Sequence, residues 1–322
     1  MRSPPALSTH RDLTRDLSNR QIQRLVETRA LTRVRRGFYV STPVWTALSI
    51  DERALLGVRA AAGALSQSAV LSHTSAAIVH GLPTGTLRQD RIHVTWPGSA
   101  GRGTTSCVTN HRSILSDRDI VEVDGLRVTS AARTVYDIAR GAEVRLAVAV
   151  VDQGLRRGVA DELARCLERN AGKPGSGRAA RVVDAGDARS ESVGESISRV
   201  QFRQLGIPTP VPQHVVNDAT GRAVARVDFL FADFGTAVEF DGKVKYQKFL
   251  RLGETPADVV FREKLREDAI RSTGLDVVRM TWTDHEDDAK ILARCRAAFA
   301  RQGHAGWRPA SPGLVGWPTL LR

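Results

Sequence analysis

The chain has 322 residues, of which 42% are hydrophobic and 25% are charged, and its formal net charge is +12. This composition fits two or three globular domains that can bury substantial cores. No signal-peptide pattern and no apolar run of membrane-spanning length is present in the sequence. Three widely spaced cysteines, Cys107, Cys166 and Cys295, indicate buried thiols in a reducing compartment. We therefore expect a cytoplasmic protein with no membrane contact and a polyanionic partner.

The basic charge is concentrated at the start of the chain. The first 40 residues contain nine arginines against two aspartates and one glutamate, which is half of the net surplus. Ser18 and Asn19 can cap a helix, and Ile22, Leu25 and Val26 recur behind them with helical spacing. An exposed arginine-rich surface without a partner is the alternative interpretation, because the whole chain has 41 arginines and only 6 lysines.

A basic hairpin is predicted directly after this helix. Strands are expected over 31–34 and 38–40, and Gly37 between them suits the positive φ of a tight turn. A helix followed by such a wing is typical of a winged helix-turn-helix, which we assign to residues 1–45. Modules of this kind place the helix in the major groove and the wing along phosphate, often as homodimers on palindromes. The expected DNA contacts are Gln21 and Arg24 on the helix and Arg33, Arg35 and Arg36 on the wing.

Residues 46–170 are predicted to form a mixed α+β region. His73 and His80 are seven residues apart, which is not the spacing of a metal pair, so packing or capping roles are expected for both. Residues 171–189 indicate a linker, with a short helix near 178–185. In the mixed region, helices are predicted over 51–65, 72–80, 130–140, 143–157 and 159–170, and strands over 91–96, 107–111 and 121–128.

Several motifs of this half resemble the antitoxins of AbiE-type (type IV) toxin–antitoxin systems. The similarity covers roughly the first 140 residues and depends on the segments 31–40, 70–77, 80–83 and 128–134. It implies a DNA-binding transcription regulator. Where a toxin is encoded alongside, it also implies a cognate nucleotidyltransferase-like toxin as a partner.

The C-terminal third contains four ionisable side chains on one predicted β-hairpin. Residues 226–231 and 237–243 alternate apolar and polar positions, and folding about the Asp233–Phe234 bond places Asp228 opposite Glu239. Asp241 and Lys243 then project on the same side as Glu239. Carboxylates about 5 Å apart repel by roughly 3 kcal/mol at an effective dielectric near 20, and a divalent cation would reverse that cost. A solvated strand face is the alternative.

The flanking sequence completes a regular series of elements. It predicts a helix over 190–206, a strand over 211–216, a helix over 256–273 followed by Gly274, a strand over 275–282 and a last helix over 284–301. With the hairpin, the order is α-β-β-β-α-β-α. We assign residues 190–302 to this domain and 303–322 to a flexible tail. The expected fold class is multidomain, α+β or α/β.

This order, with Glu195 on the first helix and an Asp…(Asp/Glu)-x-Lys pattern on the hairpin, resembles the PD-(D/E)XK nuclease superfamily. More narrowly, it resembles the very-short-patch-repair-like branch known as DUF559, over about 130 residues from Ser190 onward and on the segments 227–229, 239–243, 263–267 and 278–282. The resemblance implies a restriction-endonuclease-like fold and phosphodiester hydrolysis with Mg²⁺, or Mn²⁺ in its place. It further implies Glu195, Asp228, Glu239 and Asp241 as metal ligands, and Asp228, Glu239, Asp241 and Lys243 as the catalytic set.

The roles within this set stay partly open. Lys243 would orient or deprotonate the attacking water, or stabilise the negative charge that develops on the phosphate. Either Glu239 or Asp241 could be the second ligand beside Asp228. The branch also includes members without demonstrated cleavage. Two functions therefore compete: a DNA-binding, Mg²⁺-dependent endonuclease, and a non-catalytic regulator or antitoxin with a degenerate nuclease fold.

Overall fold

A computed structural model describes residues 7–66, 68–85, 91–97, 107–242 and 255–310. Within these ranges the protein is a mixed α/β, multidomain molecule with twelve α-helices and three β-sheets. The helices are α1 (His10–Leu13), α2 (Asn19–Glu27), α3 (Thr42–Ala47), α4 (Ile50–Ala62), α5 (His73–Val79), α6 (Ala131–Gly141), α7 (Val144–Arg156), α8 (Ala160–Arg169), α9 (Ser176–Asp184), α10 (Val193–Gln204), α11 (Pro256–Ser272) and α12 (Asp288–Arg301). The strands are β1 (Ser8–Thr9), β2 (Leu31–Arg35), β3 (Phe38–Ser41), β4 (Val70–Leu71), β5 (Ile92–Thr95), β6 (Val108–His111), β7 (Ile120–Val123), β8 (Leu126–Thr129), β9 (Val211–Asn217), β10 (Ala223–Phe231), β11 (Thr236–Asp241) and β12 (Asp276–Thr281).

The chain divides into two compact units. The first contains Met1–Ala142 and Gly158–Ala180, and the second contains Glu143–Arg157 and Arg181–Arg322. The division passes through α9, which lies in the segment 171–189 that was expected to be a linker with a short helix near 178–185. Helix α7, which the sequence placed in the middle region, belongs to the second unit. No helix among the described residues is both long and apolar enough to cross a membrane.

The first unit begins with a three-stranded antiparallel sheet in the order β1-β3-β2. Helix α2 is capped by Ser18, whose hydroxyl accepts from the Gln21 backbone nitrogen, while Gln21 Oε1 accepts from the Ser18 backbone nitrogen at 2.8 Å. Ile22 on this helix is buried, and Gly37 in the β2–β3 turn has φ +82°. The helix, the two strands and the glycine turn predicted from the sequence are confirmed.

The second sheet of this unit has five strands in the order β6-β5-β4-β8-β7. Its core is apolar and includes Val58 of α4, Leu71 of β4 and Val94 of β5. The sequence predicted one strand over 121–128, and this was wrong, because β7 and β8 form a hairpin. Asp124 and Gly125 both have positive φ, +50° and +75°, which is the backbone of a two-residue hairpin turn. Cys107 is exposed, whereas Cys166 and Cys295 are buried as expected.

The second unit is built on a four-stranded sheet in the order β12-β11-β10-β9, in which β11 and β12 are parallel and the other neighbours are antiparallel. Phe202 of α10 and Phe299 of α12 pack with Phe229 and Val238 on one face of the sheet. On the other face, Ile270 of α11 packs with Leu230 and Ala237. The predicted α-β-β-β-α-β-α order is therefore observed in these elements.

Two boundaries of the second unit differ from the prediction. The last helix begins at Asp288 rather than Asp284, because the buried Asp284 carboxylate accepts from the Thr281 backbone nitrogen and Asp287 supplies the cap. Part of the expected flexible tail is packed: Trp307 stacks edge-on against Phe299 at 5.0 Å, and the Ala310 nitrogen donates to the Gly206 carbonyl. Residues 311–322 lie outside the described residues.

Candidate functional site

Four polar side chains form a row across the sheet of the second unit. Gln213 of β9 stands opposite Asp228 of β10, between the pairs Val227–His214 and Phe229–Pro212. Asp228 faces Glu239 of β11, one residue beyond the Phe229–Val238 pair, as the predicted hairpin register requires. Glu239 pairs in turn with Arg279 of β12. We call Gln213, Asp228, Glu239 and Arg279 the polar row.

At one end of the polar row, the side-chain amide of Gln213 donates hydrogen bonds to two carboxylates. Gln213 Nε2 donates to Glu195 Oε2 at 2.7 Å and to Asp228 Oδ1 at 3.3 Å. The other Asp228 oxygen accepts from the Phe240 backbone nitrogen at 2.8 Å. Burial raises the pKa of Glu195, and the nearby Asp228 carboxylate raises it further. Bringing these acids together is thus electrostatically costly, and the Gln213 amide offsets part of the cost.

Glu195 reaches the row from the first turn of α10. Its carboxylate accepts from the Glu191 backbone nitrogen at 2.9 Å and from the Ser192 hydroxyl at 2.8 Å, so the helix start fixes its direction. Gly194 allows α10 to approach the sheet, because a Cβ at this position would lie 2.0 Å from the Phe240 ring. Since a carboxylate has about four lone-pair sites, these two bonds and the one from Gln213 leave about one site open.

The other half of the polar row has its own counter-charge. Arg266 Nη2 of α11 lies 2.6 Å from Glu239 Oε1 and also donates to the Arg226 carbonyl. Glu239 is 8% exposed; its burial raises the pKa of its carboxyl group, and Arg266 opposes that rise. Glu263 of α11 bridges Arg266 and Arg279. Within the predicted acidic cluster, Glu195 and Asp228 therefore bond to Gln213 and Glu239 pairs with Arg266. Asp228 also contributes to the raised pKa of Glu239.

Asp241 and Lys243 complete the residues predicted from the sequence. Asp241 is the last residue of β11, is half-buried and pairs in register with Thr281. Lys243 lies outside the described residues. No group of three or more histidine, cysteine, aspartate or glutamate side chains in the described part of the chain is placed to hold a metal ion. The donor set of Glu195 and Asp228 still suits Mg²⁺, which proteins often bind through one or two carboxylates plus substrate phosphate.

The predicted DNA contacts of the first unit fall into two groups. Arg24, Arg33 and Arg36 are exposed. Gln21 is also exposed, although its carbonyl oxygen is used in the α2 cap. Arg35 differs from them, because its Nε donates to the Gly57 carbonyl of α4 at 3.1 Å and its pKa is lowered by burial. Arg35 therefore holds the hairpin against α4.

Three histidines of the first unit form a cluster that the sequence did not indicate. The rings of His73 and His111 stack with centroids 3.5 Å apart, and His93 Nδ1 lies 2.9 Å from His111 Nε2. Burial, followed by the neighbouring histidines, lowers the pKa of both His73 and His111 to about 3. His80 is separate and bonds to the Thr129 carbonyl at 2.7 Å, in line with its expected packing or capping role.

Sequence reasoning missed Gln213 and Arg266, although both contact the predicted acids. The only signal for Gln213 was its position in a strand that flanks the acidic hairpin. For Arg266 it was the charged segment 263–267. Neither observation predicts which residue the side chain contacts, because both contacts join residues that are distant in the chain.

Comparison with known proteins places the chain near mycobacterial sequences. No family model matches it. Two proteins of Mycobacterium tuberculosis, "Uncharacterized protein MT2308" (strain CDC 1551 / Oshkosh) and "Uncharacterized protein Rv2248" (strain ATCC 25618 / H37Rv), are each 26% identical to it over 294 residues. The match covers 90% of this chain and 100% of each relative.

A solved structure gives a weaker likeness. It is described as the crystal structure of RV2827C protein from Mycobacterium tuberculosis, with 19% sequence identity and a TM-score of 0.39. The match covers 61% of this chain and 77% of that one. The chain is distantly similar to these proteins.

Proposed function

We propose that this chain is a DNA-binding protein whose second unit is a Mg²⁺-dependent endonuclease of the PD-(D/E)XK type. The observation that carries the proposal is the pair Glu195 and Asp228, which come from a helix and a strand and meet at one amide. Two acids that serve stability alone are not expected to be placed together, since burial and the Asp228 carboxylate both disfavour the charged form of Glu195. The order α-β-β-β-α-β-α around a mixed sheet supports the restriction-endonuclease-like fold.

DNA binding is proposed for the first unit, as a winged helix-turn-helix. Support comes from the capped helix α2, the β2–β3 hairpin and the exposed side chains of Arg24, Arg33 and Arg36. Cations that are exposed and close in sequence on a hairpin can follow a phosphate backbone without large side-chain rearrangement. The net charge of +12 on the whole molecule also favours binding to the negatively charged DNA backbone.

The residues of the second unit would share the work as follows. Glu195 and Asp228 would hold the ion, which when bound would supply charge stabilisation and a more acidic water. Asp241 would add a carboxylate from the end of β11, and Lys243 would orient or deprotonate the attacking water, or stabilise the negative charge that develops on the phosphate. Glu239 is neutralised by Arg266, which favours Asp241 over Glu239 as the partner of Asp228.

Plasmid cleavage tests this proposal. Wild-type protein should nick or linearise supercoiled plasmid with Mg²⁺ or Mn²⁺ and not with EDTA. Asp228→Asn should lower the rate at least about a hundredfold, while DNA retention in a gel stays at the wild-type level. Asp233→Asn, an exposed acid in the turn of the same hairpin, is the matched control and should cleave normally. Equal cleavage rates for Asp228→Asn and wild type would show that Glu195 and Asp228 do not form the catalytic centre.

A non-catalytic regulator or antitoxin is the second candidate. It is favoured by the ion pair of Glu239 with Arg266 and by the finding that no three metal-ligating acids or histidines converge in the described ranges. Tight DNA binding without cleavage under any divalent cation would support it. Co-purification of a nucleotidyltransferase-like toxin would then identify its partner. Homodimer formation and cytoplasmic location stay predictions under either function.

A further inference from the structure

We propose that Gln213 is itself a ligand of the metal centre, through its side-chain oxygen Oε1. This inference rests on the proposed function of the second unit and adds a residue outside the sequence motif. Gln213 contacts both acids of the pair, with Nε2 at 2.7 Å from Glu195 and 3.3 Å from Asp228. Its side chain therefore reaches the centre without any rearrangement of the backbone.

The side-chain amide can exchange its role by a half-turn. Rotation about the last side-chain bond swaps Nε2 for Oε1 at nearly the same position, because the two atoms are close in size and geometry. Without a cation, the N–H groups face the two carboxylates and reduce their repulsion. With a hard cation present, an amide carbonyl is a favourable oxygen ligand. The Gln213 side chain can therefore interact favourably with the two carboxylates without a cation and with the cation when it is bound.

The charge balance supports a neutral third ligand. Two carboxylates, Glu195 and Asp228, match the charge of a divalent ion, and a further buried carboxylate would need its own counter-charge. Glu239 has such a counter-charge in Arg266, which leaves Gln213 to add an oxygen without adding charge.

The backbone at Gln213 holds the side chain in this direction. Its φ is +53°, in the left-handed region that costs a non-glycine residue about 1–2 kcal/mol. The neighbouring pairs Val227–His214 and Phe229–Pro212 keep the strand in register on both sides of it. The positive φ of Gln213 is therefore accommodated within a strand that stays paired on both sides of it.

Binding of Mn²⁺ to the full chain, followed by the EPR signal of the free ion, tests this inference without any activity measurement. Gln213→Leu, which keeps the size and loses the oxygen, should raise the Kd for Mn²⁺ about tenfold or more. Gln302→Leu makes the same change elsewhere in the second unit and should leave Kd within about twofold of wild type. Circular dichroism establishes that each variant is folded.

Gln213→Glu separates a ligand from a hydrogen-bond donor. Glutamate keeps an oxygen in place and cannot donate when ionised, so a ligand role predicts Mn²⁺ binding at least as tight as wild type. Loss of Mn²⁺ binding in Gln213→Glu, or unchanged binding in Gln213→Leu, would overturn the inference and leave the nuclease proposal standing. A wild-type chain that binds no Mn²⁺ would overturn both.

Discussion

Glu239 and Arg266 form a partly buried ion pair beside the candidate centre, in which the Glu239 side chain is 11% exposed and the Arg266 side chain is 34% exposed. Removing one member of such a pair leaves the other as a charge without compensation, which is more costly than removing both. Burial raises the pKa of the Glu239 carboxyl group and Arg266 opposes that rise, so the Glu239 pKa should be higher in a chain without Arg266. The pair therefore bears on stability as well as on the identity of the metal ligands.

We predict that Arg266→Gln lowers the free energy of unfolding by about 1–3 kcal/mol, below the range for fully buried pairs because Arg266 is partly exposed. The double variant Glu239→Gln with Arg266→Gln should recover more than half of that decrease, which urea denaturation can measure as a double-mutant cycle. Lys264→Gln, at an exposed position of the same helix, serves as the control. Additive effects in the double variant would mean that the pair is not coupled.

The β2–β3 hairpin is the element on which the proposed DNA binding can be tested most directly. A variant that no longer neutralises one phosphate should have a slope of log K against log salt concentration that is smaller by about 0.9. We predict that Arg33→Ala with Arg36→Ala reduces the slope by about 2, measured by fluorescence anisotropy on duplex DNA. Arg118→Ala with Arg165→Ala, exposed in the same unit outside the hairpin, should leave the slope unchanged. An equal reduction in both pairs would indicate a diffuse charge effect.

Arg35 should behave differently from its neighbours on this hairpin. Its Nε donates to the Gly57 carbonyl, so Arg35→Ala removes a hydrogen bond between β2 and α4. We predict a decrease of about 1 kcal/mol in unfolding free energy, with a salt slope close to that of wild type. Thermal unfolding and anisotropy on the same sample separate the two effects. A smaller salt slope with an unchanged unfolding free energy would show that Arg35 contacts DNA rather than stabilising the hairpin.

At the level of elements, local pattern predicted most of the second unit. Strand alternation and helix periodicity act over a few residues, so β9, the β10–β11 hairpin, α11 and β12 were predicted as elements at their observed places in the chain. The Gly274 position after α11 has φ +91°, as a helix-terminating glycine should. The β7–β8 hairpin was missed because apolar and polar residues alternate almost continuously on both sides of Asp124-Gly125, so the segment was predicted as one strand.

Contacts of the site could not be predicted in the same way. The acids were identified by their repulsion across a hairpin, which is a local feature. Gln213 and Arg266 act across strands and from a helix, where a chain of 41 arginines gives no reason to single out one. Side-chain direction at Gln213 also depends on its positive φ, which the residue type does not favour.

At the scale of the whole molecule, both units contain histidines whose pKa is lowered by burial. The first unit contains the His73, His93 and His111 cluster, and Arg133, Asp137 and Arg140 of α6 act on it electrostatically. In the second unit, burial lowers the pKa of His285 to about 4, and its ring stacks on Phe240 at 4.8 Å. Protonation of His73, His111 or His285 places a positive charge in a poorly solvated site, and Arg133 and Arg140 add to that cost for His73.

Acid should therefore destabilise the protein, and the first unit should contribute most. His73 and His111 have folded pKa values of about 3 against 6.5 for the free side chain, so the unfolded chain binds more protons between these values. Stability is full above about pH 6.5 and falls as the pH decreases towards about 3. We predict that His111→Phe, which keeps a ring on His73, reduces the fall in melting temperature between about pH 7 and about pH 4.5. His304→Phe, at an exposed position, should follow wild type in calorimetry. If the melting temperatures of His111→Phe and wild type fall equally over this range, the histidine cluster does not govern the acid sensitivity.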